Sequence, residues 1–253
     1  MSLPISGKKM TQQTLKEKIL LLTGAGGGIG RAVAERLAKE GMKIILLGGN
    51  NREKLFSTQQ AIEKYAPCLV FPGDLTDTVF LSGAVEKAVE IWGGIDVLIN
   101  NAGSAANAPF EKVLLEDFDR IMNINVRVPF FLTQLALPHL KRSAAATIIN
   151  IASVTAHSGY PQQSVYSASK HALLGLTKSI AAEYYKDDIR VHALSPGGVY
   201  TDMVKVTRPD LSPEGMIMPE DIADIVHFFL ANRGNAVIDE ILVHRVGKTP
   251  FLV

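Results

Sequence analysis

The sequence predicts a single-domain α/β protein, built on a doubly wound parallel sheet with helices on both faces. Short apolar runs typical of buried strands alternate with helical patterns along nearly the whole chain, which indicates successive βαβ units. The runs are apolar throughout, as in strands covered on both faces. A glycine-rich turn joins the first strand to the first helix, and no linker or repeat divides the 253 residues.

The predicted elements follow one another in the order that this fold requires. Gly41 follows the first helix as a stop signal, and Thr76 and Ser164 are predicted N-caps. Pro129 and Pro138 are expected to interrupt a long helix. Strands are predicted at 18–23, 42–47, 68–71, 95–99, 147–152, 189–194 and 240–246, and helices at 31–39, 51–65, 76–92, 116–142, from Ser164 onward, and at 219–231.

Composition and charge exclude several classes of function. The chain is 47% hydrophobic and 20% charged, and its net charge of +1 offers no electrostatic footprint for nucleic acid or an anionic membrane. Cys68 is the only cysteine, which excludes an internal disulfide and a cysteine-based zinc site. The six histidines show no metal-ligand spacing, so no metal is expected.

Residues 1–17 are expected to form a flexible extension, and residues 18–253 the single domain. The first ten residues lack the apolar core of a signal peptide, and no apolar run approaches the ~18 residues of a membrane span. A cytoplasmic location is therefore expected by default.

The glycine turn can hold a pyrophosphate with its backbone N–H groups and the N-terminus of the following helix. It matches the pattern T-G-x-x-x-G-x-G at Thr23, Gly24, Gly28 and Gly30 and lacks the Gly-Lys-Ser/Thr ending of a nucleoside-triphosphate loop. A merely tight turn is the alternative interpretation. The position between the first strand and the first helix favours a dinucleotide site.

Tyr166 and Lys170 are four residues apart and share one face of the predicted helix. A phenol with a pKa near ~10 is a poor acid or base at neutral pH, and a neighbouring ammonium lowers that pKa. Ser153 follows a strand and faces the crevice where open α/β sheets bind ligands. These side chains can supply a proton donor, a group that tunes it and a hydroxyl that orients a carbonyl. An isolated Tyr-x-x-x-Lys is more often an ordinary helix-surface pair.

Taken in order, these motifs resemble the short-chain dehydrogenase/reductase family, and in particular its 3-oxoacyl-carrier-protein reductase-like members. The resemblance covers about residues 18–230 and rests on the glycine turn, Asn100-Asn101-Ala102-Gly103, Ser153, Tyr166, Lys170 and Pro196-Gly197. It implies a Rossmann-type NAD(P)-binding catalytic domain. The implied reaction is hydride transfer between the nicotinamide and a secondary alcohol or ketone.

The resemblance also implies roles for single residues. Tyr166 is the expected general acid/base, Lys170 lowers its pKa and holds the nicotinamide ribose, and Ser153 orients the carbonyl. Asn125 matches the helix asparagine of the family's proton relay. The residues expected to contact the cofactor are Thr23, Gly24, Gly28, Ile29, Gly30, Gly49, Asn50, Arg52, Asp74, Leu75, Asn101, Ala102, Gly103, Tyr166, Lys170, Pro196, Gly197, Val199 and Thr201.

The end of the second strand favours NADP over NAD. An acidic residue at this strand end would bind the ribose hydroxyls of NAD, but the chain has Gly48 there. Many NADP users have an arginine at the next position, where the chain has Gly49. Without a carboxylate nothing repels a 2′-phosphate, which Asn50, Asn51 and Arg52 can contact. A solvated position in the first turn of a helix is the alternative interpretation of Arg52.

The substrate cannot be read from the sequence. A 3-oxoacyl reductase, a small-sugar or hydroxy-acid dehydrogenase, and a non-catalytic NAD(P)-binding regulatory protein remain open, although the intact catalytic residues argue against the last. Lys205 and Arg208 can attract an acidic substrate but are better interpreted as solvated loop residues. Pocket residues are expected among Ser104, Ala105, Val154, Thr155, Gly198 and Tyr200. His157 can line the pocket or be a surface histidine, and both interpretations stay open.

Two local features complete the predictions. The C-terminal segment 238–245 lacks the family's glycine-rich ending, so the expected homo-oligomer can be a dimer rather than the usual tetramer. Pro129 has no N–H to bond the main-chain carbonyl of Asn125, four residues earlier. We therefore expect that carbonyl to be released toward Lys170, about one water away.

Overall fold

The computed structural model describes residues 13–49, 51–207 and 212–249, which form a seven-stranded parallel sheet with helices on both faces. The strands are β1 Ile19–Thr23, β2 Lys43–Gly48, β3 Cys68–Pro72, β4 Val97–Asn100, β5 Thr147–Ile151, β6 Arg190–Pro196 and β7 Glu240–Val243. Their spatial order is β3-β2-β1-β4-β5-β6-β7, so the winding reverses between β1 and β4. The predicted doubly wound parallel sheet is therefore confirmed.

The helices pack on the two faces of this sheet. They are α1 Gly28–Ala38, α2 Arg52–Ile62, α3 Thr78–Trp92, α4 Leu115–Met122, α5 Val128–Leu140, α6 Ser164–Tyr184, α7 Asp202–Thr207 and α8 Pro219–Ala231. Short 3₁₀ turns lie at Phe110–Lys112, Val154–Ala156 and Tyr185–Asp187. The sequence analysis did not predict α7.

The strand β1 shows why both faces of the sheet must be covered. Successive side chains of a strand point to opposite faces. Leu20 and Leu22 accordingly join one apolar layer, with Val33 of α1, whereas Leu21 joins the other, with Leu132 of α5. These leucines are fully buried, so neither layer leaves the sheet exposed to water at its centre.

The long helix predicted at 116–142 is divided, as its prolines suggested, but only once. A π-helical turn, Asn123–Arg127, separates α4 from α5, and the N–H of Val128 donates to the carbonyl of Asn123, five residues back. Pro129 cannot donate a hydrogen bond, and a π turn is a common way to accommodate such a break. Pro138 lies inside α5, so the second predicted interruption was wrong. The release of the Asn125 main-chain carbonyl toward Lys170 stays a prediction.

Two predicted helix caps were wrong. The N-cap of α3 is Asp77, whose carboxylate accepts the N–H groups of Val79 and Phe80, while Thr76 instead bonds Asp74. Ser164 is the first residue of α6 and not its cap. At α3 two polar residues compete for the cap and Asp77 forms it, whereas no side chain caps the start of α6.

The N-terminal end of the described chain packs onto the domain. Leu15 is 4% exposed and the N–H of Gln13 donates to the carbonyl of Ala231 at 2.8 Å, so residues 13–17 contact the domain. The flexibility expected for residues 1–17 stays a prediction for 1–12, which lie outside the described residues. The last strand is shorter than predicted and ends at Val243.

Within the described part of the chain, no helix has the length and apolar character that crossing a membrane requires. The same residues include no cluster of three or more His, Cys, Asp or Glu side chains that could hold a metal ion.

Candidate active site

Two cavities meet at the carboxyl edge of the sheet. The larger, about 750 Å³, runs along the glycine turn and the ends of β1, β4 and β5, and the smaller, about 480 Å³, lies beyond the end of β6. Ser153, Tyr166 and Gly197 line both cavities. A group bound in one cavity is therefore adjacent to a group bound in the other, and these side chains stand at the junction.

The glycine turn has the geometry of an anion cradle. Gly24 and Gly28 have φ angles of 68° and 51°, which favour glycine. A Cβ on Gly30 would lie 2.3 Å from the carbonyl oxygen of Gly24, so α1 can approach the turn only with glycine there. Gly27 precedes α1, and no side chain caps the helix. A Cβ on Gly27 would have no other atom within 4 Å, so the space beside it is open. The first N–H groups of α1 are thus available to donate hydrogen bonds to a ligand in the larger cavity. A diphosphate binds to donors of this kind.

A set of hydrogen bonds fixes this turn to the end of β4. The hydroxyl of Thr23 accepts the N–H groups of Asn101 and Ala102, both at 3.0 Å. The Asn101 amide nitrogen donates to the carbonyls of Thr23 and Gly24, at 2.9 and 3.1 Å. Asn101 therefore acts mainly by holding the shape of the turn.

Most predicted cofactor contacts are brought together in the larger cavity. Thr23 and Gly30 do not line it, because one is engaged in the bonds just described and the other packs against the turn. Asn50 lies outside the described residues. The predicted residues that line the cavity are Gly24, Gly28, Ile29, Gly49, Asp74, Leu75, Asn101, Ala102, Gly103, Tyr166, Lys170, Pro196, Gly197, Val199 and Thr201.

The contact expected from Arg52 is corrected in favour of Lys54. Arg52 is exposed on α2 and does not line the cavity, whereas Lys54 does. The ammonium of Lys54 lies 2.5 Å from a carboxylate oxygen of Asp202, at the start of α7, and this contact lowers the pKa of Asp202. Asn51 also lines the cavity, and its side chain caps α2 by accepting the N–H of Lys54.

The helix α6 carries the proposed proton donor and its neighbour. Lys170 is 4% exposed, and its ammonium donates to the carbonyl of Ile151 at 2.8 Å and lies 5.7 Å from the centre of the Tyr166 ring. Burial lowers the pKa of Lys170 to about 8. Burial raises the pKa of Tyr166, and a hydrogen bond with Ser153 lowers it only in part. In the chain alone burial therefore outweighs the bond with Ser153 and keeps the phenol protonated, and a lowering of this pKa by Lys170 stays a prediction.

Ser153 stands where β5 ends and the 3₁₀ turn Val154–Ala156 begins. Its hydroxyl accepts the N–H of Thr155 at 3.2 Å and bonds the phenol of Tyr166. The serine is 7% exposed, and it faces both cavities. The folded chain thus brings Ser153 and Tyr166 together at the junction of the two cavities.

Asn125 joins the cofactor loop to α6. Its amide nitrogen donates to the carbonyl of Ser104 and to the hydroxyl of Ser169, both at 2.9 Å, and its amide oxygen accepts the N–H of Ser104 at 2.8 Å. The side chain is fully buried in these bonds. Its visible role is therefore to position the loop next to Lys170.

A second buried network was missed by the sequence analysis. The amide nitrogen of Asn100 donates to the amide oxygen of Asn150, and the amide nitrogen of Asn150 donates to the hydroxyl of Thr177, both at 2.8 Å. This chain of bonds links β4, β5 and α6 and so fixes the helix that carries Tyr166. The only sequence signal was the polarity of Asn150 inside an apolar strand.

The smaller cavity contains part of the predicted substrate pocket. Ala105, Val154, Thr155 and Gly198 line it, and Ser104 lines the larger cavity instead. The prediction for Tyr200 was wrong, because Tyr200 lines neither cavity at this edge, and His157 fits its alternative interpretation as a surface histidine. His157 bonds a carboxylate oxygen of Glu240 at 2.7 Å, a partner 83 residues away.

The segment after β6 also differs from its prediction. Lys205 lies 3.6 Å from a carboxylate oxygen of Asp202 and packs over the ring of Tyr200, so it is not a free cation. Arg208 lies outside the described residues. Met203 and Val204 line both cavities, which the sequence analysis did not foresee.

These features fit a nicotinamide dinucleotide. The uncapped N-terminus of α1 lies at the larger cavity and suits its diphosphate, and Lys170 and Thr201 line the same cavity near the junction with the smaller one. Of the three ammonium hydrogens of Lys170, the bond to Ile151 occupies one. The others remain for a ribose hydroxyl.

Comparison with known proteins identifies the family to which the chain is similar. Residues 18–212 match the family model described as short chain dehydrogenase. An uncharacterized oxidoreductase of Bacillus subtilis is 32% identical over 97% of this chain and 89% of its own length. A 3-oxoacyl-[acyl-carrier-protein] reductase of Thermotoga maritima is 33% identical over 90% and 96%.

A solved structure shows the same fold. Carveol dehydrogenase from Mycobacterium avium, in complex with NAD, superposes with a TM-score of 0.83 at 25% identity, over 91% of this chain and 97% of that one. The sheet, the junction of Ser153 with Tyr166 and the family match lead to one conclusion. The chain belongs to the short-chain dehydrogenase family of oxidoreductases.

Proposed function

We propose that the protein interconverts a ketone and a secondary alcohol by hydride transfer with a nicotinamide cofactor, with Tyr166 as general acid/base. The observation that carries this proposal is the hydrogen-bonded pair of Ser153 and Tyr166 at the junction of the two cavities. A carbonyl oxygen placed between these hydroxyls receives two hydrogen bonds, and its carbon faces the larger cavity. The proposed catalytic residues are thus Ser153, Tyr166, Lys170 and Asn125.

In reduction, a bound nicotinamide cofactor would supply the hydride. The residues of the chain donate the proton and stabilise the charges that develop. The phenol of Tyr166 is protonated at neutral pH and is placed to donate its proton to the developing alkoxide. Ser153 stabilises the negative charge on that oxygen as it forms. Lys170 opposes the negative charge that remains on the phenolate, and Asn125 holds the loop beside it. In oxidation the same groups act in reverse.

We further propose that NADP is preferred over NAD. Gly48 and Gly49 line the larger cavity at the end of β2 and supply no carboxylate to repel a 2′-phosphate. Asp74 lines it as well, but its side chain accepts hydrogen bonds from Thr76. Lys54 is the cation of α2 that lines this cavity, and it replaces Arg52 in the proposal.

Among substrates, a 3-oxoacyl group is a specific candidate. It is the substrate class for which the relative from Thermotoga maritima is named. The smaller cavity, with the apolar side chains of Ala105, Val154 and Met203, suits a short acyl chain. A non-catalytic regulatory role has less support, because a cofactor sensor needs no proton donor at the junction.

The proposal is tested by absorbance at the reduced-nicotinamide band. The purified protein is mixed with NADPH or NADH and a panel of ketones that includes the N-acetylcysteamine thioester of acetoacetate, and with the oxidised cofactors and alcohols in the reverse direction. We expect turnover of at least one ketone and a higher kcat/KM with NADPH. Tight cofactor binding without turnover of any ketone or alcohol would favour the regulatory alternative.

We also propose that the protein is a homo-oligomer. Large apolar side chains are exposed on α4, on α5 and on the 3₁₀ turn before them, an arrangement typical of a covered surface. Light scattering coupled to size-exclusion chromatography tests this, and a monomer at micromolar concentration contradicts it. The exposed side chains are Phe110, Leu114, Leu115, Phe118, Phe130 and Phe131.

A further inference from the structure

The register of the last two strands brings the C-terminal segment to the smaller cavity. Pro196 of β6 pairs with Val243 of β7, and the N–H of Gly197 donates to the carbonyl of Val243 at 2.7 Å. The residues after β7 therefore continue past the carboxyl edge of the sheet, beside Gly198. This is the segment whose sequence departs from the family pattern.

Three basic residues of this segment line the smaller cavity, namely His244, Arg245 and Lys248. No aspartate or glutamate among the described residues lines it. The larger cavity differs, since acidic and basic side chains both line it and the three basic residues do not. The smaller cavity thus combines basic side chains with no acidic ones among the described residues, and these basic side chains do not line the cofactor cavity.

The side chain of Arg245 is held in place without being neutralised. It runs along the backbone of Gly198, where a Cβ would lie 3.6 Å from its Cδ, and its guanidinium donates to the sulfur of Met216 at 3.2 Å. A thioether is a weak acceptor and carries no charge. A half-buried guanidinium in this position retains most of its hydrogen-bonding capacity for an anion.

The carboxylates of α7 and of β7 are already engaged elsewhere. Asp202 contacts Lys54 and Lys205, and Glu240 bonds His157 and the hydroxyl of Ser195. Within the described ranges, neither Arg245 nor Lys248 forms an ion pair within 4.0 Å. Unpaired cations that line a concave site are best explained by an anionic ligand.

We propose that the substrate carries a carboxylate or phosphate group, which Arg245 binds with the help of Lys248 while its carbonyl lies at Ser153 and Tyr166. This inference rests on the proposed function, because it concerns the same pocket. A cavity of about 480 Å³ accommodates a small oxo acid or a phosphorylated ketone. Planar, two-pronged hydrogen bonding by the guanidinium favours these oxyanions over neutral groups.

The test compares matched pairs of ketones that differ in charge. One pair is 4-oxopentanoate and its methyl ester, and the other is dihydroxyacetone phosphate and dihydroxyacetone. The two pairs distinguish a carboxylate from a phosphate. We expect Arg245→Gln to lower kcat/KM for the anionic member by about 10- to 100-fold, as for the loss of a charge-assisted hydrogen bond, and to change the neutral member by less than about 3-fold.

Lys248→Gln is expected to have a smaller effect in the same direction, and Lys178→Gln is the matched control. Lys178 is exposed on α6 and lines neither cavity of the site, so its removal changes the net charge equally without touching the pocket. Circular dichroism and the midpoint of thermal unfolding verify that each variant is folded. The inference is overturned if Arg245→Gln lowers kcat/KM equally for the anionic and the neutral ketone. It is also overturned if Arg245→Gln and Lys178→Gln lower kcat/KM for the anionic ketone equally.

Binding measured by calorimetry separates this inference from the proposed function. With the cofactor-saturated protein, 4-oxopentanoate and inorganic phosphate are titrated into the wild type and into Arg245→Gln. If no ketone in any assay is reduced but one anion binds and Arg245→Gln abolishes that binding, the anion site stands and the proposed function fails. If neutral ketones are reduced and neither anion binds, the function stands and the anion site is refuted. If no ketone is reduced and neither anion binds, both the proposed function and the anion site are refuted.

Discussion

Replacing Lys170 with methionine is expected to stabilise the fold at neutral pH, because the substitution removes a charge that folding buries. Burial lowers the pKa of Lys170 from 10.5 to about 8. At about 1.4 kcal/mol per pH unit, the difference between these values corresponds to about 3 kcal/mol. Loss of the hydrogen bond to Ile151 offsets about 1 kcal/mol of this, which leaves a net gain of about 2 kcal/mol.

The sign of the pH dependence follows from the direction of the pKa change. The folded pKa lies below the unfolded pKa, so between about pH 8 and 10.5 the unfolded state binds more protons than the folded state. The wild-type free energy of unfolding therefore gains a contribution as the pH rises through this window. Lys170→Met lacks that contribution, and its advantage over the wild type shrinks as the pH approaches 10.5.

Urea unfolding of both proteins at several pH values between about 7 and 10 measures this difference. Lys178→Met, an exposed substitution on the same helix, is the control and is expected to show no such pH-dependent difference. A Lys170→Met variant that is less stable than the wild type at pH 7, or whose difference from the wild type is the same at every pH, refutes the argument.

The remaining predictions concern the cofactor cavity and its support. Gly48→Asp is expected to shift the ratio of the kcat/KM values for NADH and NADPH toward NADH. Gly48→Ala is the control, because any Cβ at this position would lie 2.8 Å from Leu55. Equal ratios in the two variants contradict a role of charge. Asn101→Ala is expected to weaken cofactor binding, measured by fluorescence titration, because the glycine turn loses its bonds to two carbonyls. Thr177→Val is expected to cost about 1–3 kcal/mol in urea unfolding, because the amide of Asn150 loses its buried acceptor; an unchanged midpoint contradicts this.

The parts of the fold that were predicted correctly depend on local pattern. Alternating apolar runs and helical segments were enough for the doubly wound sheet, and the four-residue spacing of Tyr166 and Lys170 was enough to place both on α6. The strand end at Ser153 placed its hydroxyl at the carboxyl edge. Each of these inferences needed only residues close together in the sequence.

The errors concern partners that are distant in the sequence. His157 bonds Glu240, which begins β7, and lies outside the lining of the pocket. Lys54 rather than Arg52 faces the cavity because Asp202 of α7 lies opposite it. Arg245 reaches the pocket through the pairing of β7 with β6, which tertiary packing sets and the local pattern does not reveal.

The pKa of Tyr166 illustrates the same limit for electrostatics. The sequence places a cation four residues away and so predicts a lowered pKa, but burial in the folded chain has the larger effect and raises the pKa. The same burial lowers the pKa of Lys170. The extent to which each group is withdrawn from water is a property of the packed structure.

The most direct test of the central claim is the rate of ketone reduction by Tyr166→Phe, measured together with cofactor affinity. The substitution removes the hydroxyl that bonds Ser153 and leaves the ring that packs near Lys170. General acid/base groups typically contribute about 10²–10⁴-fold to the rate, so the account predicts a loss of at least that range in kcat with cofactor affinity nearly unchanged. Turnover by Tyr166→Phe within a few-fold of the wild type would contradict the account.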